Sequence, residues 1–248
     1  MNRKLAAAFA VTAIALTPAC AQERVNTADK EAIEKIVSAY ILEHPQIIED
    51  ALIKLSEQRE QASAALSTEQ IMANFDAIYN NEADYTLGPD DAPITVVEFF
   101  DYRCGYCKRS AEWTLKLPEK YNGKVRVVFK ELPILSAESE KAALAAIAAG
   151  NQGKYIEMHM ALMELDNGTG FGPDEIDKAA VSAGVDVTLM RADMKSLAVQ
   201  TAVSNSKSLA RTLGIDGTPN FMVGLQQVAG ANTDAVEDMI AAELDKLS

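Results

Sequence analysis

Two cysteines three positions apart, Cys104 and Cys107, carry the clearest chemistry in this sequence. They close the stretch ITVVEFFDYRCGYC at residues 94–107. An apolar run, Ile94 to Phe100, ends in a short polar turn, and the residues after Cys107 read as helical. A CxxC where a buried strand turns into a helix is a redox arrangement. The start of a helix offers unpaired backbone N–H groups and a partial positive charge. Both favour thiolate over thiol, and the thiolate is the attacking species. Two thiols at this spacing can also close on each other, so the pair can cycle between dithiol and disulfide. Cys104, ahead of the helix, is expected to be exposed and nucleophilic. Cys107, one turn in, is expected to be covered and to resolve the mixed disulfide. Gly105 and Tyr106, between them, tune the stability of the thiolate and hence the reduction potential.

A metal reading of the same pair is weaker. A structural zinc usually takes four Cys or His ligands. The chain has no second CxxC, and its two histidines, His44 and His159, fall in unrelated helical segments. We expect no metal site and no cofactor. Capture of Cu(I) by the two soft thiolates is the alternative function from another class.

Two charged residues stand out in apolar strands. Glu98 interrupts the run 94–100, six residues before Cys104. Burial there would raise its pKa and make it a usable base near neutral pH. Lys130, in the strand Val125–Glu131, is its expected partner. His159 and Trp113 read as packing residues.

The elements that must position the pair can be read in order. After Ile94–Phe100, a helix runs from the CxxC to about Tyr121, and Asn122-Gly123 turns into Val125–Glu131. Such a strand–helix–strand unit calls for a parallel pair. A helical insert follows at about 137–213, including a helix opened by Pro173 and closed by Gly184. The pattern then returns to β at Asn220–Val223 and Gln226–Ala229, and ends in a helix from Thr233. The order β–α–β, helical block, β–β–α is an α/β architecture: a thioredoxin fold with an inserted helical domain.

An α-helical arm precedes it over residues 22–83. Ile33, Ile36, Val37, Tyr40 and Ile41 share one helical face. After His44-Pro45, residues Ile48, Leu52, Leu55, Ala62 and Leu66 alternate spacings of four and three, with Arg59 in the remaining slot, close to a heptad seam. A third helix, 68–79, adds Ile71, Phe75 and Ile78. We expect a homo-oligomer through residues 28–80. Asn80 to Pro93 reads as turn and loop.

Residues 1–21 read as an export signal: Asn2-Arg3-Lys4, an apolar Leu5–Leu16, and Ala19-Cys20-Ala21 at the cleavage site. A lipoprotein cysteine at Cys20 is the second reading. Either places the protein outside the cytoplasm, in a periplasm-like compartment where disulfides persist. The net charge of −13 argues against nucleic-acid partners.

Glu98-Phe99-Phe100-Asp101-Tyr102 leading into Cys104-Gly105-Tyr106-Cys107, together with Gly214-Ile215-Asp216-Gly217-Thr218-Pro219 leading into Phe221, resembles the DsbA-like branch of the thioredoxin superfamily. The likeness covers roughly residues 84–247. The arm also resembles that of the suppressor-of-copper-sensitivity type, which carries an N-terminal oligomerisation region. The resemblance implies a disulfide oxidoreductase or isomerase. It implies that Pro219 is a cis proline packed against the CxxC, and that Thr218 pairs with an extended substrate. It implies that Glu98 moves protons for the resolving thiol. Implied partners are unfolded or misoxidised secreted proteins and a membrane redox partner that resets the couple.

Overall fold

The computed structural model describes residues 27–48, 51, 54, 68–168 and 170–247. The expected export signal, Cys20, and the seam residues Leu52, Leu55, Arg59, Ala62 and Leu66 lie outside those residues. The chain divides into two units, Met1–Arg59 and Glu60–Ser248.

In the first unit, α1 spans Thr27–Glu43. It ends one residue before His44-Pro45, as expected of a residue preceding proline. Ile33, Ile36, Val37 and Tyr40 stand exposed along it.

The second unit is built on one five-stranded sheet of order β1-β3-β2-β4-β5. The strands are β1 (Tyr85–Leu87), β2 (Ile94–Phe100), β3 (Val125–Glu131), β4 (Asn220–Val223) and β5 (Gln226–Ala229). β2 and β3 run parallel, while β1 on β3, β4 on β2 and β5 on β4 are antiparallel. The parallel pair needs a crossover, which α3 (Gly105–Lys120) supplies by joining β2 to β3, while α2 (Phe75–Tyr79) precedes the sheet. Asn122 and Gly123 both take positive φ, 52° and 77°, and turn the chain from α3 into β3. The insert consists of α4 (Ala137–Gly150), α5 (Tyr155–Met163), α6 (Pro173–Ser182), α7 (Val187–Asp193) and α8 (Leu197–Thr212), and α9 (Thr233–Asp245) closes the fold.

β2 is buried on both faces, which explains its near-continuous apolar run. On one face Val96, Phe100, Val127, Phe129 and Phe221 pack with Cys107, Ala111 and Leu117 of α3, with α9, and with α5. On the other, Val97, Phe99, Val128 and Met222 pack with Ile71, Ile78, Tyr79 and the end of α8.

Two expectations change here. The third helix assigned to the arm is part of the catalytic unit: Ile71 and Ile78 are fully buried against the sheet, and the Tyr79 hydroxyl donates to the Gly224 carbonyl at 2.7 Å. An apolar face of a short helix covers a sheet as readily as it meets a second copy, and periodicity cannot separate the two. The stretch Asn80–Pro93, read as loop, also contains the edge strand β1. Its three residues are too few to show alternation. Tyr85 fixes it to the insert, stacking on Tyr155 at 4.1 Å and donating to the Ile147 carbonyl at 3.1 Å. Gly150 is what admits the Tyr85 ring, since a Cβ there would sit 2.0 Å from it.

Candidate active site

Cys104 is the N-cap of α3, in extended backbone conformation, and Cys107 lies in the first turn. Both are free thiols. The turn that delivers Cys104 is braced by Asp101, which is 1% exposed. Its carboxylate accepts from the backbone N–H of Arg103 at 2.8 Å and of Ile134 and Leu135 at 3.0 Å each. Its carbonyl accepts from the Cys104 N–H at 3.0 Å. The Arg103 guanidinium reaches Ser136 Oγ at 2.8 Å, the side chain that caps α4. Lys108 ties α3 to the C-terminal end of α5 through the carbonyls of Met163 and Leu165.

The Thr218-Pro219 bond is cis, and its loop lies directly over the cysteines. Cys104 Sγ donates to the Thr218 carbonyl at 3.1 Å. This loop corrects the expectation that Cys104 is exposed: only 7% of it is open, against 0% for Cys107. An N-cap position alone would leave it open, and the cover comes from a segment 114 residues downstream.

The two thiols are driven apart electrostatically. The Cys104 pKa is lowered to about 5, chiefly by the Cys107 thiol hydrogen-bonding to its sulfur, then by the Thr218 side chain and the backbone N–H groups of Cys107 and Tyr106; burial opposes this. Cys107 moves strongly the other way, first through burial, then through the hydrogen bond it gives Cys104 and the charge of Glu98. At neutral pH the pair is one thiolate and one firmly held thiol.

Glu98 is 1% exposed, on the same sheet face as Cys107. Burial raises its pKa to about 8, with the Cys104 charge adding to the rise and the hydroxyls of Thr114 and Ser110 tempering it. Among the described residues neither of its oxygens reaches a partner at hydrogen-bond geometry. Lys130 is not that partner. In the β2/β3 register Lys130 sits opposite Phe99, not Glu98, so its side chain enters the other face. There it pairs with Asp84 and donates to the Ala77 carbonyl at 2.5 Å. That geometry corrects the expected Glu98–Lys130 pairing: period two along β3 sends Lys130 to the face away from Glu98. Of the intervening dipeptide, Gly105 is exposed and Tyr106 is 59% exposed, with Arg109 stacked over its ring at 4.2 Å.

Other residues were not legible from sequence as parts of this region. Trp113 donates to Glu237 at 2.8 Å and meets Phe221 edge-on. His159 is buried as expected, but inside a polar cluster with Tyr102, Tyr155 and Glu131. The acid at the end of β3 was the available signal for that cluster.

A thioredoxin family model matches residues 80–242. The chain belongs to the thioredoxin family. A second model, described as the copper resistance protein ScsC N-terminal domain, matches residues 29–62. A linker-deletion variant of ScsC from Proteus mirabilis superposes with a TM-score of 0.68 at 26% identity, covering 91% of this chain and all of that one. The thiol-disulfide exchange protein alpha-DsbA2 from Wolbachia pipientis gives 0.65 at 27% identity, over 75% of this chain and 98% of that one. A probable disulfide bond formation protein D from Bacillus cereus is 30% identical over 173 residues, 65% of this chain and 79% of that protein. The chain also matches Na⁺/H⁺ antiporters such as one from Salinispora tropica, 28% identical over 66% of this chain, but spans only 25% of that protein's length. Among the described residues no helix is long and apolar enough to cross a membrane. A thioredoxin-family domain thus follows a segment that matches the ScsC N-terminal domain.

Proposed function

We propose that the chain is an exported enzyme that forms or isomerises disulfides in secreted proteins through the Cys104/Cys107 couple. The observation that carries this is the splitting of the two thiols, with Cys104 held as a thiolate at a pKa of about 5 while Cys107 keeps its proton.

The steps follow from that split. The Cys104 thiolate attacks one sulfur of a client disulfide, the client S–S bond breaks, and a client thiolate leaves. Cys104 is now neutral in a mixed disulfide. Its charge no longer raises Glu98, so Glu98 ionises more readily at the moment Cys107 needs a base. Glu98 takes the Cys107 proton, Cys107 attacks Cys104, and the client leaves reduced as the Cys104–Cys107 disulfide forms. Run backwards, the same steps transfer the disulfide to a client dithiol and return the proton from Glu98 to Cys107.

Thr218 supports client binding. Pro219 supplies no N–H, and the Thr218 carbonyl already faces Cys104, so an extended client strand running past this loop meets backbone polar groups beside the reacting sulfur. A membrane redox partner resets the couple, oxidising it in the forming direction and reducing it in the isomerising direction. The ScsC-type N-terminal domain supports self-association through the arm, which would place several Cys104 sites around one client. The leader-like residues 1–21 support a periplasmic location.

Reduced and scrambled ribonuclease, assayed separately with trapping of free thiols, test the reading. Turnover on reduced substrate with an oxidised resting couple marks the forming direction, and turnover on scrambled substrate with a reduced resting couple marks isomerisation. Failure on both sinks the proposal. The description of the N-terminal domain as a copper resistance protein's favours one second reading, Cu(I) capture by the two thiolates. Stoichiometric Cu(I) binding with no activity on either ribonuclease would select it.

A further inference from the structure

The buried cluster around Glu131 takes no part in the exchange steps above, yet it is attached to the turn that carries the nucleophile. Glu131 closes β3 and is 4% exposed. The hydroxyls of Tyr102 and Tyr155 both donate to its Oε1 at 2.9 Å. The Tyr102 oxygen also lies 3.3 Å from His159 Nδ1. A phenol has one proton, and that of Tyr102 is spent on Glu131. The Tyr102 hydroxyl thus links His159 Nδ1 to Glu131 in one hydrogen-bonded cluster. The His159 ring is fixed between Phe100 at 4.9 Å and Phe129 at 5.0 Å. Burial pushes Glu131 well above the usual carboxyl range and lowers His159 to about 3. The other charges acting on the cluster are Asp101, on Glu131, and Glu98, on Tyr102.

Tyr102 joins this cluster to the active-site turn by hydrogen bonds. It is 1% exposed, sits between the Asp101 brace and Arg103, and precedes Cys104 by two residues. Asp101 and Arg103 fasten the turn to the start of α4. Tyr102 fastens it independently to β3 and α5. Arg103 is also tied to Asn167, whose carbonyl accepts from the guanidinium at 3.1 Å and whose side-chain amide donates to the Arg103 carbonyl at 2.8 Å. Losing the Tyr102 attachment frees the β3 side of the turn, and Cys104 Sγ would shift against the donors that hold its charge.

We propose that Glu131 is a positioning residue for Cys104: by holding Tyr102 it fixes the turn Asp101–Cys104 in the register that sets the sulfur against Thr218 and the first N–H groups of α3. The cluster works through geometry rather than charge. An amide oxygen accepts the same two hydroxyl protons, so Glu131→Gln keeps the attachment.

The inference rests on Cys104 being the activated thiolate, and one experiment separates the two claims. Iodoacetamide alkylation of Cys104 is followed against pH in the full chain for wild type, Glu131→Gln, Glu131→Leu and Tyr102→Phe. Glu131→Gln is expected to titrate with wild type. Glu131→Leu and Tyr102→Phe are expected to titrate about one pH unit higher, the scale of one lost buried hydrogen bond. A Tyr102→Phe titration that coincides with wild type overturns the proposal, and this variant carries the test should Glu131→Leu not fold. A Glu131→Gln shift as large as that of Tyr102→Phe also overturns it, because charge would then be the agent. A wild-type midpoint near that of an ordinary thiol would instead sink the nucleophile reading itself.

Discussion

Glu98 and Lys130 stand one register step apart on neighbouring parallel strands and face opposite sides of the sheet. Each is buried among apolar side chains, and each meets that cost differently. Lys130 is compensated by Asp84 and the Ala77 carbonyl. Glu98 has no cation and stays protonated into the neutral range, its pKa raised to about 8 by burial. A buried acid left without a counter-charge is a candidate for proton transfer, whereas a compensated lysine serves the fold.

Lys130→Met is therefore expected to destabilise the fold without touching the chemistry. It leaves Asp84 part-buried without its cation, held by the Asn81 amide at 3.3 Å, a loss of about 3 kcal/mol. The double variant Lys130→Met/Asp84→Asn should recover much of it. Urea denaturation measures both, and the alkylation midpoint of Cys104 in the folded single variant should match wild type. A raised midpoint would restore Lys130 as a redox-tuning residue.

Glu98→Gln is expected to slow resolution and flatten a pH dependence. General-base assistance is worth roughly 10²-fold or more, so release of client from a preformed mixed disulfide on Cys104 should slow by about that factor at pH 8. The stability effect has a defined sign. The folded pKa of Glu98 lies above its unfolded value, so the native state holds a proton that the unfolded state has lost between about 4.5 and about 8. Its stabilising contribution is full below that window and is lost as pH rises through it. The unfolding midpoints of Glu98→Gln and wild type should agree at pH 4 and separate towards pH 8, with the variant more stable. Parallel curves would show an ionised Glu98 throughout.

The cysteines should label very differently. Cys104 should reach half-maximal alkylation near pH 5, and Cys107 should resist label until the protein unfolds. Cys107→Ser should accumulate mixed disulfides on Cys104, and Cys104→Ser should lose exchange altogether. Mass spectrometry of trapped species reads all four. The sign for stability is opposite to that of Glu98: Cys104, lowered on folding, stabilises the reduced protein increasingly as pH rises from about 5 towards the ordinary thiol value.

Much of the site was legible because its signals are local. The CxxC, the apolar strand ahead of it and the Thr218-Pro219 loop each occupy a few consecutive residues. What failed depended on register or on distant segments. That VRVVFKE sends Lys130 and Glu131 to opposite faces follows from period two, but which face meets Glu98 depends on pairing with β2. The cover over Cys104 comes from Thr218. The Glu131 cluster draws on β3, the active-site turn and α5, three places that no sequence window spans.

The division of the arm sets the last prediction. Ile71, Ile78 and Tyr79 belong to the sheet's second core, while Ile33, Ile36, Val37 and Tyr40 of α1 are exposed. Self-association should therefore be lost on removing residues 22–59, and the remaining unit, Glu60–Ser248, should fold as a monomer with its Cys104 midpoint unchanged. Removing residues 22–80 should instead uncover Val97, Phe99 and Met222 and cost the fold, since burying three large side chains is worth several kcal/mol in a domain of marginal stability. Light scattering and thermal unfolding of both truncations distinguish these outcomes. A cooperative, fully stable product of the longer deletion would show that helix 68–79 belongs to the arm after all. An unchanged oligomer after the shorter deletion would place the association surface on the catalytic unit.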